Sequence, residues 1–185
     1  MPLNKLLEEL IMKRMLTLAI VFCSQSLLAS NCIKFNDKDF CEVWNNKDDG
    51  VHTVELLAEG QSLESWSTMI TVRKYKGKTA LKEVLPGYIN SVKPMFTLKP
   101  DILQSDTSKA KEEVYFRMLL LAPDKSHYEY VINRFYRDDD ESVKSIFYSH
   151  RIPFAEQVNF NEIMENRDNW LEQLQSQNID GHLGE

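Results

Sequence analysis

Glycine-rich loops are missing from this chain. Its six glycines among 185 residues are dispersed, so no stretch can gather consecutive backbone N–H groups around a phosphate, and nucleotide binding of that kind is disfavoured. Histidine is equally sparse. His52, His127, His150 and His182 stand far apart, with neither an H-E-x-x-H motif nor a His–carboxylate spacing, so no zinc site is encoded locally. The acidic run Asp138–Glu141 lacks the alternating ligands and the turn glycine of a calcium loop and reads as a solvated hairpin tip. Gly60, Gln61, Ser62, Leu63 and Glu64 begin like a nucleophile elbow but have no closing glycine and no buried parallel strand before them. Ser62 reads as a helix cap. No cofactor, metal or catalytic set is expected, and the catalytic arrangement left open is one assembled from distant residues.

Positive charge is in deficit, with 22 Lys and Arg against 28 Asp and Glu and a net charge of −6 at pH 7. Such a surface repels phosphate backbones and anionic lipids, so no nucleic acid and no polybasic membrane docking is expected. A long apolar run is also absent. A spanning helix wants about 20 mostly apolar residues, whereas the run Met15 to Cys23 is followed at once by Ser24, Gln25 and Ser26. With Met12, Lys13 and Arg14 before it and small or polar residues up to Ser30 after it, the segment reads as a secretory signal peptide. We therefore expect residues 1–30 to be a signal peptide, cut after Ala29 or Ser30, and residues 31–185 to be a single globular domain in the periplasm or secreted. No stable membrane span remains once the leader is removed. Met1 and Met12 are alternative starts, and Phe22 is too bulky before Cys23 for lipoprotein processing.

Cysteine is scarce too, numbering three. Cys23 would leave with the leader, and Cys32 and Cys41 are then expected to pair in an oxidising compartment, stabilising the fold by about 2 to 3 kcal/mol. Eight residues lie between them, which does not suit a redox-active pair.

What is present is alternation. Ile33, Phe35, Phe40, Val43 and Trp44 around the polar turn Asn36–Asp39 predict a cystine-closed hairpin, and Asn45–Gly50 reads as a turn. His52, Val54, Leu56 and Ala58 against Thr53 and Glu55 predict a half-buried strand, then a short helical turn at Ser62–Ser67, then a strand over Met69–Lys76. From Thr79 the period lengthens. Leu81, Val84, Leu85, Tyr88, Ile89 and Val92 predict one amphipathic helix, kinked at Pro86 and Gly87 and stopped by Pro94. Glu113–Ala122, His127–Tyr136 and Val143–Ile152 read as a three-stranded antiparallel meander with both faces largely apolar. Phe160, Ile163, Met164, Trp170, Leu171 and Leu174 mark a second helix capped by Asn159 or Asn161, and the tail from Gln175 is expected to fray. The fold class that follows is α+β: a mainly antiparallel β-sheet with two amphipathic helices packed on it, an α/β sandwich.

The set Glu55, Gly60, Gln61, Trp66, Met69, Thr71 and Val72, followed by a helix and a late meander, resembles the PsbP and DcrB superfamily of exported α/β sandwich domains. The resemblance spans Val51 to Leu174 and shares no chemical motif. It implies a non-enzymatic domain that binds or stabilises other proteins. On the residues themselves, Tyr115, Tyr128 and Tyr130 are the candidate ligand or partner surface, tyrosine joining apolar area to a polar tip. The expected function is an exported periplasmic binding protein without catalytic activity, its partner a protein or a small apolar ligand. Two alternatives stand beside it: a periplasmic inhibitor or immunity-type protein acting through its acidic surface, and a secreted hydrolase with a dispersed site such as His127 or His150.

Overall fold

Two four-stranded meanders, one from each half of the domain, join along β4 and β8. The computed structural model describes residues 31–107, 112–138, 141–155 and 158–183; the expected leader, residues 1–30, lies outside them. The strands are β1 (Cys32–Phe35), β2 (Lys38–Asp48), β3 (Val51–Ala58), β4 (Thr68–Tyr75), β5 (Phe96–Thr107), β6 (Glu112–Leu121), β7 (His127–Arg137) and β8 (Val143–Pro153). They form one sheet in the order β1-β2-β3-β4-β8-β7-β6-β5, antiparallel at every pairing. Helices α1 (Leu85–Val92), α2 (Asn161–Ser176) and α3 (Asp180–Leu183) complete the described elements, with 3-10 turns flanking α1.

The mainly antiparallel α+β class holds, and the cystine-closed hairpin with it. Cys32 and Cys41 are register partners on β1 and β2, which places their Cα atoms 4.0 Å apart, and they are bonded to one another. Asn36 and Asp37 both take positive φ, the conformation a two-residue hairpin turn demands and one that asparagine and aspartate tolerate.

Several expectations are corrected. The stretch Asn45–Asp48 continues β2, and only Asp49 and Gly50, with φ of 47° and 77°, make the turn. Asn and Asp signalled a turn there, but pairing with β3 from Lys47↔His52 to Asp48↔Val51 overrides that local preference. Ser62–Ser65 is a backbone-bridged turn with no helix. The helix predicted from Thr79 is divided: a 3-10 turn at Leu81–Glu83 is followed by α1, and Pro86 sits in its first turn, where a missing N–H costs nothing. Pro86 therefore starts a helix and does not kink one. β5 was not anticipated at all, and its pairing with β6 shifts register three times, so the alternation that marks a strand is scrambled. The tail does not fray. α3 carries Leu183, and Ile179 just before it is fully buried.

The two faces of the sheet hold separate cores. On one face Ile70, Val72, Ile132, Ile146 and Tyr148 pack with Phe35 and Phe40 beneath Ile163, Trp170 and Leu174 of α2. On the other, Phe116, Met118, Val131, Phe135, Val143 and Phe147 meet Leu81, Val84 and the half-buried Leu85, Tyr88 and Ile89 of the α1 segment. The C-terminal segment also reaches the N-terminal hairpin: Gln177 Nε2 donates to Lys34 O at 3.1 Å, Asn31 Nδ2 to Gly181 O at 3.3 Å, and Lys144 on β8 pairs with Asp180 at 2.7 Å.

Trp170 is 1 % exposed and touches Tyr130, Tyr148 and His150 by ring contact. Trp170→Ala is expected to cost about 3–5 kcal/mol of unfolding free energy in urea titrations, the range for emptying an aromatic core site. Replacing both Cys32 and Cys41 by serine is expected to cost about 2–3 kcal/mol through the freed loop, read as a lower urea midpoint; an unchanged midpoint would show that the hairpin is held by pairing alone.

Candidate functional site

The second face of the sheet is only partly roofed. Beyond the end of α1 the strands carry a cleft of about 520 Å³ whose lining includes Glu55, Trp66, Arg73, Tyr88, Glu129, Phe147, Ser149 and Arg151. Register explains how residues so distant in sequence meet. Glu55 opposes Thr71, Thr71 opposes Phe147, and Arg151 opposes Glu129, so alternate positions of β3, β4, β8 and β7 all project to this one side.

Both walls are built by local chemistry. Tyr88 fixes α1: its hydroxyl donates to Asn133 Oδ1 at 2.7 Å and its ring stacks on Phe147 at 5.1 Å. Asn133 is itself buried and held by its amide, which donates to the Phe116 and Val131 carbonyls. The opposite wall is the loop after β3. Gln61 Oε1 accepts from the backbone N–H groups of Ser67 and Thr68 at 2.6 and 3.2 Å, and Arg151 N donates to Ser67 O at 2.8 Å, which brings the Trp66 ring over the Arg151 guanidinium at 3.4 Å.

The charges in this cleft are unusual for a sheet interior. Arg73 lies over the Phe147 ring at 5.1 Å, and the Nε atoms of both Arg73 and Arg151 are buried with no hydrogen-bond acceptor. Neither arginine bridges to Glu55 or Glu129 among the described residues, although all four are half-buried in the same cleft. Burial pushes the Glu55 carboxyl above the ordinary glutamate range, with Arg73 drawing it down and Glu129 pushing it further up. Burial also lowers the His127 imidazole, helped by the Arg151 charge, so His127 at the cleft edge is neutral near pH 7. The cluster thus gathers two arginines and two glutamates, each half-buried and none within ion-pair distance of another among the described residues.

His127 is engaged by its own turn. His127 Nδ1 lies 2.8 Å from Ser126 Oγ, but that hydroxyl already donates to Asp124 Oδ1 at 2.7 Å, and the Ser126 N–H reaches the same oxygen at 3.0 Å. This is a side-chain-closed turn, in which the carboxylate takes the hydroxyl proton that an activated serine would pass to the imidazole. His150 lies on the opposite face, stacked on Trp170 and 3.6 Å from Glu162. The two histidines cannot serve one substrate.

The three tyrosines share the α2 face, since Tyr115, Tyr128 and Tyr130 pair with Arg134, Leu121 and Leu119. They do not form an open surface. Tyr115 is buried, its hydroxyl donating to Glu113 Oε1 at 2.6 Å, and Glu113 also receives Arg134, whose Nη1 caps the α2 terminus by donating to the Leu174 and Gln177 carbonyls. Tyr128 is half-buried against Phe154 and Phe160. Tyr130 is buried at the floor of a second, mostly apolar groove of about 370 Å³ beside Leu98, Met118 and Met164. Sequence reasoning passed over Arg73 and Arg151. The sequence carried no separate signal for them, since Thr71 beside Arg73 and Ser149 beside Arg151 make each look like part of a polar strand face.

Fold and cleft together define an α+β domain that offers a charged, ligand-sized recess on one side of an antiparallel sheet. A protein-family model matches residues 27–179, and the chain belongs to that family. No curated protein and no solved structure matches it. No described helix is long and apolar enough to cross a membrane.

Because Glu55 is held above its ordinary pKa, the fold favours its protonated form. That contribution is complete below the unfolded glutamate value of about 4.3 and is lost as pH rises through the folded value. Glu55→Gln is therefore expected to raise the urea midpoint at pH 7 relative to the native chain, with the gain vanishing by about pH 4. Equal gains at both pH values would place the effect in packing and not in charge.

Proposed function

We propose that residues 31–185 act as an exported binding domain of the bacterial envelope, without catalysis, and that the cleft roofed by α1 and Trp66 receives the partner. The observation that carries this reading is the set Glu55, Arg73, Glu129 and Arg151, half-buried in one recess with no ion-pair contact among them and with the Arg73 and Arg151 Nε atoms lacking an acceptor. Partly burying such groups without ion-pair contact adds little to the stability of the folded chain. Their retention is understandable where an incoming molecule completes them. Export is supported by the leader-like order of residues 12–30 and by the Cys32–Cys41 bond, which persists in oxidising compartments.

We read the sheet, with α1 on one side and α2 on the other, as an α/β sandwich of the PsbP and DcrB kind, a likeness that rests on element order. It agrees with a protein partner better than with a small apolar ligand. The charged cleft is a poor host for the latter, for which the groove beside Tyr130 is the better place.

Cell fractionation with N-terminal sequencing is expected to recover the chain from the periplasm, beginning near residue 30. A photo-crosslinking amino acid at position 63 on the cleft rim should yield a discrete adduct in the envelope that disappears when Arg73→Glu and Arg151→Glu are combined. The same probe at position 154, beside Tyr128 on the other face, should not yield it. Intact precursor in the cytosol, or an adduct indifferent to both substitutions, would overturn the reading.

A further inference from the structure

We infer that the molecule bound in this cleft is a short peptide in extended conformation, held at one terminus by an arginine and at the other by a glutamate. This deepens the binding reading above and rests on it.

Length is the first argument. Arg73 leans over the Phe147 ring, and Arg151 stands four residues further along β8, so the two arginines mark points roughly 13 Å apart at about 3.3 Å per residue. A free amino acid or a monosaccharide cannot reach from one to the other, whereas five extended residues span about 17 Å. Charge is the second. Two arginines and two glutamates line the recess beside the His127 imidazole, whose pKa burial lowers, so an occupant of a single charge sign would meet like charge beside opposite charge. A chain with an ammonium at one end and a carboxylate at the other answers both signs.

Donor geometry is the third. The guanidinium groups lie on the Phe147 and Trp66 rings, a stacking that leaves their in-plane N–H groups free for a carboxylate, and each Nε still lacks its acceptor. Between the ends, Tyr88, Val92, Met95 and Leu120 supply apolar wall for intervening side chains. Glu55 sits near the Arg73 end and Glu129 directly opposite Arg151, so each end offers both a carboxylate and a guanidinium.

The test uses the folded chain of residues 31–185, checked by circular dichroism, and a synthetic pentapeptide library with free termini. Retention in equilibrium dialysis is read by mass spectrometry. We expect a subset of peptides to be retained, at least tenfold less retention for the same library N-acetylated and C-amidated, and a comparable loss for Arg73→Gln with Arg151→Gln. Quenching of Trp66 fluorescence, absent in Trp66→Phe, should follow occupancy. Equal retention of capped and free libraries, or no retention by a natively folded chain, overturns the peptide assignment. If position 63 still forms its charge-dependent adduct in the envelope while no peptide is retained, the peptide assignment alone falls; if both fail, the binding reading falls with it.

Discussion

Burial of both faces of β8 is the constraint on which the rest of this structure depends. Every residue from Val143 to His150 is buried, and a strand in that position must be covered twice. Ile146, Tyr148 and Ile152 face α2, while Val143 and Phe147 face the α1 segment. The strand also joins the two meanders, through β4 on one side and β7 on the other. Losing either cover would expose the middle of the sheet, where apolar residues leave little to be gained from water.

The two covers are unequal, and the cleft is the result. The 16 residues of α2 give about 24 Å of helix, but the eight of α1 give only about 12 Å, against an 11-residue strand of about 36 Å. α1 can roof only part of the strands on its side. Where it ends, side chains change character from Phe147 through Ser149 to Arg151, and Trp66 from the β3–β4 loop supplies the remaining wall. The recess follows from that shortfall, since a longer helix would cover the same positions.

Most of the architecture was legible in the sequence because its signals are local. Apolar patterning marked seven of the eight strands, including both members of the cystine hairpin, and the period of Ile163, Trp170 and Leu174 marked α2. β5 escaped because its bulges break alternation at Leu98 and Ile102, both exposed on an edge strand. The division before α1 escaped because Leu81 and Val84 stay in phase with Tyr88 although a 3-10 turn separates them. The tail escaped for another reason: Ile179 and Leu183 are isolated in a polar context, and only the core that receives them shows their value.

The candidate site was far less legible, and the reason is physical. Tyr115, Tyr128 and Tyr130 drew attention as amphipathic side chains on a strand-rich segment, yet amphipathicity is satisfied equally well inside: Tyr115 spends its hydroxyl on Glu113, which anchors Arg134 beneath the end of α2. Glu55, Arg73, Glu129 and Arg151 looked like the solvated side of ordinary strands. Their meaning appears only when register puts four strands side by side and shows that the side they share lies under α1 and Trp66. The contrast with Lys144 is instructive. It is as charged and more deeply buried, and burial alone would push its ammonium pKa down, but Asp138 and Asp180 outweigh that and hold it up. Lys144 thus has its counter-charges in direct contact, whereas the cleft arginines meet Glu55 and Glu129 only across the recess.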